Sequence, residues 1–268
     1  MASEPGRRQP KPVRVTAIKI AMIGNVRRID AAIIAEIDYF WYNVRMMGTL
    51  FVVATPIGNL EDVTLRALRV LREVDAIACE DTRVSGKLLK HHEIKKPLYA
   101  LHHHSEAGHY NRLLDELMLG KSIAYVSDAG TPGMNDPGGK LVELCVEHGI
   151  TVSPIPGASV LTTAISVCGF PMDDFYYGGF VPHKRGRQAF FKEVAERSIP
   201  TIFLESTHRI EKTMVALASS LSKERMIFVG RELTKMHETL YRGTVDEVMK
   251  QLQATSLKGE FVIIIGSV

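Results

Sequence analysis

The residues best fitted to do chemistry lie in the stretch 127–139, which reads SDAGTPGMNDPGG. An apolar run at 123–126 precedes it and an amphipathic segment at 140–148 follows, giving the order strand, glycine-rich turn, helix. In open α/β sheets, ligands bind just beyond the carboxyl ends of strands, where such turns sit. Gly130, Gly133, Gly138 and Gly139 let the backbone approach a ligand, while Pro132 and Pro137 pre-shape the turn. Neither the GxGxxG nor the GxxxxGK(S/T) spacing is present, and Asp128 and Asp136 would repel a phosphate. A ligand carrying positive charge, amide groups or a flat ring fits better. The same composition also serves an ordinary surface turn.

Three further polar clusters follow apolar runs: Thr55-Pro56-Ile57-Gly58-Asn59-Leu60-Glu61-Asp62, Cys79-Glu80-Asp81-Thr82-Arg83, and Ile155-Pro156-Gly157-Ala158-Ser159. The runs that would position them are strand-like at 49–55, 75–79, 98–101, 122–126 and 151–155. Helix-period segments at 60–74, 111–119 and 140–148 alternate with these runs, which points to a largely parallel sheet. In a parallel sheet, all four clusters meet at one edge. Beyond a small apolar helix at 159–167, strands are expected at 175–180, 201–204, 226–229 and 261–265. Helices are expected at 187–196, 210–221 and 245–254, the last opened by a Thr244 to Glu247 capping box. The fold class is α/β, with two α/β domains at 47–157 and 158–268 and a ligand cleft between them.

The chain has 268 residues, 46% hydrophobic and 24% charged, a globular composition. No apolar run reaches the roughly 18 residues of a membrane span. Cys79, Cys145 and Cys168 lack paired spacing and read as buried thiols of a reducing, cytoplasmic setting. The net charge of +3 is uneven: residues 1–46 hold eight Lys/Arg against four Asp/Glu, and the remainder 25 against 26. Any nucleic-acid surface on the main body must therefore be local. Residues 1–46 read as a disordered or non-native extension, with Met46 or Met47 as the natural start.

Taken together, TPIGNLED, EDTR, SDAGTPGMNDPG, IPGAS, ESTHR, GRELTK with HET, and KGEFV resemble the tetrapyrrole methylase superfamily across about residues 48–268. The resemblance is narrower to the branch that methylates a cytidine ribose of 16S ribosomal RNA. It implies S-adenosylmethionine as cofactor, a homodimer, and a target in the decoding centre. It places the donor against Pro56, Ile57 and Gly58, against Asp128, Ala129, Gly130, Thr131 and Pro132, and against Pro156, Gly157 and Ala158. The chain departs from the family pattern at His102-His103-His104-Ser105-Glu106 and at Ala158-Ser159.

Ribose methylation needs an acceptor for the hydroxyl proton and a cation near the developing alkoxide. Glu80, Lys235 and Glu238 are the expected catalytic residues, with Asp81, Glu205, Arg83 and Arg231 as further candidates. Glu80-Asp81 with Arg83 also reads as a structural ion pair, worth about 0–1 kcal/mol if exposed. Residues 205–209 also read as a cap for the next helix. Lys184, Arg185, Arg187 and Arg209 are the expected RNA-binding cations, gripping phosphates without reading bases. A 2′-hydroxyl target excludes DNA. Consecutive histidines on an extended segment point to opposite faces, so 102–104 make a poor cage and no metal is expected. Two other functions share these features: a tetrapyrrole methyltransferase, and a ribosome-assembly factor that binds RNA without catalysis.

Overall fold

The computed structural model describes residues 47–102 and 107–268. The extension at 1–46 and the histidine-run residues His103, His104, Ser105 and Glu106 lie outside the described residues. The described residues belong to one compact unit, Met46–Val268.

The first sheet holds β1 (Thr49–Val53), β2 (Ala76–Cys79), β3 (Leu98–Ala100), β4 (Ile123–Val126) and β5 (Thr151–Ile155). Their order is β3-β2-β4-β1-β5 and every pairing is parallel. Such strands are buried on both faces, which explains why β2 and β4 are unbroken apolar runs. Alternate residues feed two cores. Leu50, Ala78, Ile123 and Tyr125 pack on one face; Val53, Ile77, Cys79, Ala124 and Val126 pack on the other. Helices α1 (Leu65–Glu73), α2 (Thr82–His91), α3 (Ala107–Met118) and α4 (Gly138–Glu147) supply the covering layers. The helix expected over 60–74 is divided. A single 3-10 turn covers Leu60–Asp62, and Thr64 then caps α1 by accepting the Ala67 N–H at 3.1 Å.

Helix α5 (Val160–Cys168) leads to the second sheet: β6 (Tyr176–Phe180), β7 (Thr201–Ser206), β8 (Met226–Arg231), β9 (Thr239–Thr244) and β10 (Glu260–Ile265). Its order is β6-β7-β10-β8-β9, and only the β6/β7 pairing is parallel. Helices α6 (Arg187–Glu196), α7 (Ile210–Ser220) and α8 (Val245–Ala254) pack with it. Strand β9 has no counterpart in the sequence reading. It is an edge strand in which only Tyr241 and Gly243 are buried, so no apolar run announces it. The capping box at Thr244 and Glu247 is present as expected. Cys79, Cys145 and Cys168 are free and buried.

The two glycines opening α4 make a clean comparison. A Cβ on Gly138 would sit 2.1 Å from Tyr125 Cε1, whereas one on Gly139 meets nothing within 4 Å. Tyr125 is fully buried and hydrogen-bonded to Asp136, so it has little room to yield. Gly138→Ala is expected to cost about 1–3 kcal/mol through overpacking. Gly139→Ala should leave stability within about 1 kcal/mol of wild type or slightly higher, as helix propensity favours alanine. Urea unfolding midpoints of the two variants check this.

Candidate active site between the two sheets

Because β1, β2, β4 and β5 run parallel, the four polar clusters emerge at the same end of adjacent strands. They are fastened there by hydrogen bonds. Thr55 and Gly130 exchange backbone bonds of 3.0 and 3.1 Å, and Thr55 Oγ1 donates to the Ser127 carbonyl at 3.1 Å. Gly130 has φ 83, a conformation open to glycine at little cost. Thr131 Oγ1 donates to the Ala158 carbonyl at 3.0 Å, tying the loop to the end of β5. On the other side, the Asp128 N–H donates to Glu80 Oε1 and the Asp81 N–H donates to Asp128 Oδ1, both at 3.0 Å. Asp136 shapes the distal part of the loop by accepting the N–H groups of Gly133, Met134 and Gly138.

A cavity of about 360 Å³ opens above this edge. Ile57, Glu80 and residues 127–131 line it from the first sheet. Tyr177, Phe180, Leu204, Leu233, Lys235 and Val262 are among its lining from the second. The size falls in the range of small-molecule sites, which are concave, mainly apolar and carry a few convergent polar groups.

Of the expected donor residues, Ile57, Asp128, Ala129, Gly130 and Thr131 line the cavity. The others stand behind it. Pro56 and Pro132 are buried, and the Ala158 carbonyl holds Thr131. A Cβ on Gly157 would meet that of Ala54 at 3.0 Å, while Pro156 is exposed beyond β5. Gly58 packs against the Lys235 turn: a Cβ there would sit 2.5 Å from Lys235 Cγ.

The acidic and basic candidates separate by environment. Asp81 caps α2 and pairs with exposed Arg83 at 2.6 Å, and the Arg83 bond lowers its carboxyl pKa to about 2. That pair is structural, leaving Glu80 as the carboxylate of its cluster that lines the cavity. Burial pushes the Asp128 carboxyl up, helped by the Asp81 charge and opposed by the Asp81 N–H. Lys235 is a cavity-wall ammonium held by Glu232 at 2.9 Å and Glu260 at 3.0 Å. Burial would lower its pKa, but the two carboxylates outweigh burial and leave it raised. Glu238 is exposed, outside the cavity lining, and accepts the Thr234 N–H at 2.7 Å. It braces a turn containing left-handed Glu232 and Thr234.

The structure separates the four expected RNA-binding cations by environment. Lys184 and Arg185 are exposed on the loop after β6. Arg187 and Arg209 instead turn inward to Glu205, which is 1% exposed. Arg209 pairs with Glu205 at 2.7 Å, Thr213 Oγ1 donates to it at 2.6 Å, and Arg187 donates to Thr213 at 2.9 Å. A buried carboxylate demands such partners, so these cations are spent on it. Glu205 is thus occupied as a charge anchor inside β7. The helix-cap reading of 205–209 also fails, since Arg209 occupies the N-cap of α7 without a side-chain cap bond. Arg231, 9% exposed, donates to the carbonyls of Lys258 and His237 and so fixes the loops beside Lys235. Among the described residues, no group of three or more His, Cys, Asp and Glu side chains is placed to hold a metal ion.

A family model for Tetrapyrrole (Corrin/Porphyrin) Methylases matches residues 49–249, from β1 into α8. The chain belongs to this family. Among the curated relatives it resembles is the Ribosomal RNA small subunit methyltransferase I of Synechocystis sp., 45% identical over 220 residues. That match covers 82% of this chain and 79% of the relative. The protein of the same name from Thermotoga maritima is 40% identical over 219 residues, covering 82% of this chain and 98% of the relative. Solved tetrapyrrole methylase folds are similar at lower identity. A cobalt precorrin-4 methyltransferase aligns with TM-score 0.64 and 16% identity, covering 84% of this chain and 96% of its own. A diphthine synthase aligns with TM-score 0.65 and 14% identity over 82% and 90% of the two chains. These two likenesses concern the fold.

S-adenosylmethionine is the methyl donor of this family, and the cavity suits it. Apolar walls from Ile57, Leu204, Leu233 and Val262 can flank a flat ring, and the carboxylates of Glu80 and Asp128 favour a cationic ligand. Tyr177 and Phe180, which sequence reasoning did not single out, come from the second sheet. Glu232 and Leu233 lie in the GRELTK motif and Glu260 in KGEFV.

The Glu232–Lys235 pair has a readable pH signature. Burial alone would raise Glu232, but the Glu260 N–H and Lys235 outweigh it and hold its pKa below the ordinary value. Its stabilising contribution is therefore full above the unfolded carboxylate range, near pH 4.3, and is lost as pH falls through the folded value. Lys235, being raised, contributes fully below its unfolded pKa of about 10.4 and loses that contribution as pH rises through the folded value. Melting curves of wild type and Glu232→Gln should differ most between about pH 5 and 9 and converge on acidification below about pH 4.

Proposed function

We propose that this protein is an S-adenosylmethionine-dependent methyltransferase of small-subunit ribosomal RNA. In this reading it methylates the 2′-hydroxyl of a decoding-centre cytidine in 16S RNA, in the cytoplasm and as a homodimer. The substrate reading is supported chiefly by 45% identity to proteins named for small-subunit ribosomal RNA methylation, extending through both sheets. The observation that carries the chemistry is the presence of both Glu80 and Lys235 on the wall of one cavity.

S-adenosylmethionine, when bound, supplies an electrophilic methyl group on a positively charged sulfur. The residues of this chain do the rest. Ile57 and Gly130, with the loop they cradle, and Leu204, Leu233 and Val262 hold the donor and exclude water. Alignment of donor and hydroxyl supplies roughly 7–11 kcal/mol of the barrier reduction. Glu80 accepts the 2′-hydroxyl proton, its carboxylate oriented by the Asp128 N–H. Lys235, kept protonated by Glu232 and Glu260, stabilises the developing alkoxide. Glu238 acts at one remove, by bracing the turn that presents Lys235. Lys184 and Arg185 meet backbone phosphates.

The test is transfer of labelled methyl from S-adenosylmethionine to small ribosomal subunits lacking native methylation, followed by nuclease mapping. A 2′-O-methylated cytidine in the decoding centre is the expected product. Donor binding without transfer to subunits would overturn the substrate assignment. Glu80→Gln should lower kcat by about 10²–10⁴-fold with donor affinity retained. Lys235→Met should lower kcat by about 10²–10³-fold.

A further inference from the structure

We infer that Phe180 is a stacking platform for a nucleobase turned out of the RNA. The inference rests on the RNA reading above and names the residue that would receive the displaced base. Phe180 ends β6 at the cavity, lines it, and is 52% exposed. A ribose can enter so recessed a site only if its nucleotide leaves the helical stack, and an unstacked base needs a new face to rest on.

The backbone is built to present this ring. The β6/β7 register shifts between Tyr177 and Phe180, and Gly179 has φ 66. Bulges on edge strands re-aim side chains, often beside functional sites. The other two rings of β6 are engaged. The Arg197 guanidinium covers Tyr176 at 3.7 Å, and the Tyr177 hydroxyl accepts from Asn135 at 2.9 Å. Among the described residues, no aromatic ring or guanidinium covers Phe180.

The chain after the ring is held rigidly. Val181 is buried and its carbonyl accepts from Arg209 at 2.7 Å, while the Pro182 carbonyl accepts from Arg187 at 3.4 Å. The Glu205 anchor thereby fixes the backbone on which Phe180 stands. Exposed Lys184 and Arg185 follow within five residues, so an aromatic face and phosphate-binding cations share one short segment. That is the combination used to hold single-stranded RNA. Met134, 36% exposed, also lines the cavity and offers an apolar flank.

The experiment compares wild type with Phe180→Ala, Phe180→Leu and Phe180→Trp. S-adenosylmethionine affinity is measured by calorimetry, affinity for unmethylated small subunits by filter binding, and folding by thermal melts. The expected result is a loss of subunit affinity of roughly 5- to 150-fold for Phe180→Ala, a partial loss for Phe180→Leu, and near wild-type binding for Phe180→Trp. Donor affinity and melting temperature should stay unchanged throughout. Phe180→Ala binding subunits as wild type does would overturn the inference while leaving the RNA reading intact. A parallel loss of donor affinity would make Phe180 a donor wall, and a shift from dimer to monomer would make it an interface residue; either overturns the inference. If wild type itself methylates no subunit RNA, the RNA reading fails first.

Discussion

The paired backbone hydrogen bonds between Thr55 and Gly130 are the constraint on which the site depends. They lock the loop after β4 onto the loop after β1, across strands that are themselves neighbours in the sheet. Once that contact is made, Ser127 and Asp128 have fixed positions relative to Glu80, and Thr131 reaches Ala158 at the end of β5. A parallel sheet offers this arrangement naturally, because its strands deliver successive loops to one edge. An antiparallel sheet would send alternate loops to opposite ends.

The second sheet completes the cavity by different means. It is mostly antiparallel, and its contribution is a set of buried charges that hold loops in unusual shapes. Glu205 orders Arg187 and Arg209, which in turn hold the carbonyls of Pro182 and Val181. Arg231 fixes the loops carrying His237 and Lys258, between which Lys235 is gripped by Glu232 and Glu260. Buried ion pairs contribute little net stability, because desolvation offsets attraction. Their value here lies in geometry: each fixes backbone that an apolar contact would leave free to slide.

Much of the first half was legible in the sequence. Strands β2 and β4 are fully buried apolar runs and the polar clusters follow directly, so pattern and position coincide. The second half was harder for physical reasons. Strand β9 lies at a sheet edge, buries only Tyr241 and Gly243, and offers no apolar run. Arg187 and Arg209 look like any surface cations until Glu205 is known to be buried between them, and burial of a charge is a tertiary fact. Likewise, Glu238 reads in sequence as a candidate base or relay, and only the structure shows its carboxylate accepting the Thr234 N–H. Phe180 carried no motif at all; its exposure follows from a register shift that only strand pairing reveals.

One ligand site is made jointly by the loops of the two sheets. Hydrogen exchange with and without S-adenosylmethionine tests it most directly, since bound ligand protects the backbone amides it orders. Protection is expected in two places at once, around 128–131 on the first sheet and around 230–235 on the second. Protection confined to one of these segments, or absent from both while the donor is bound, would contradict it.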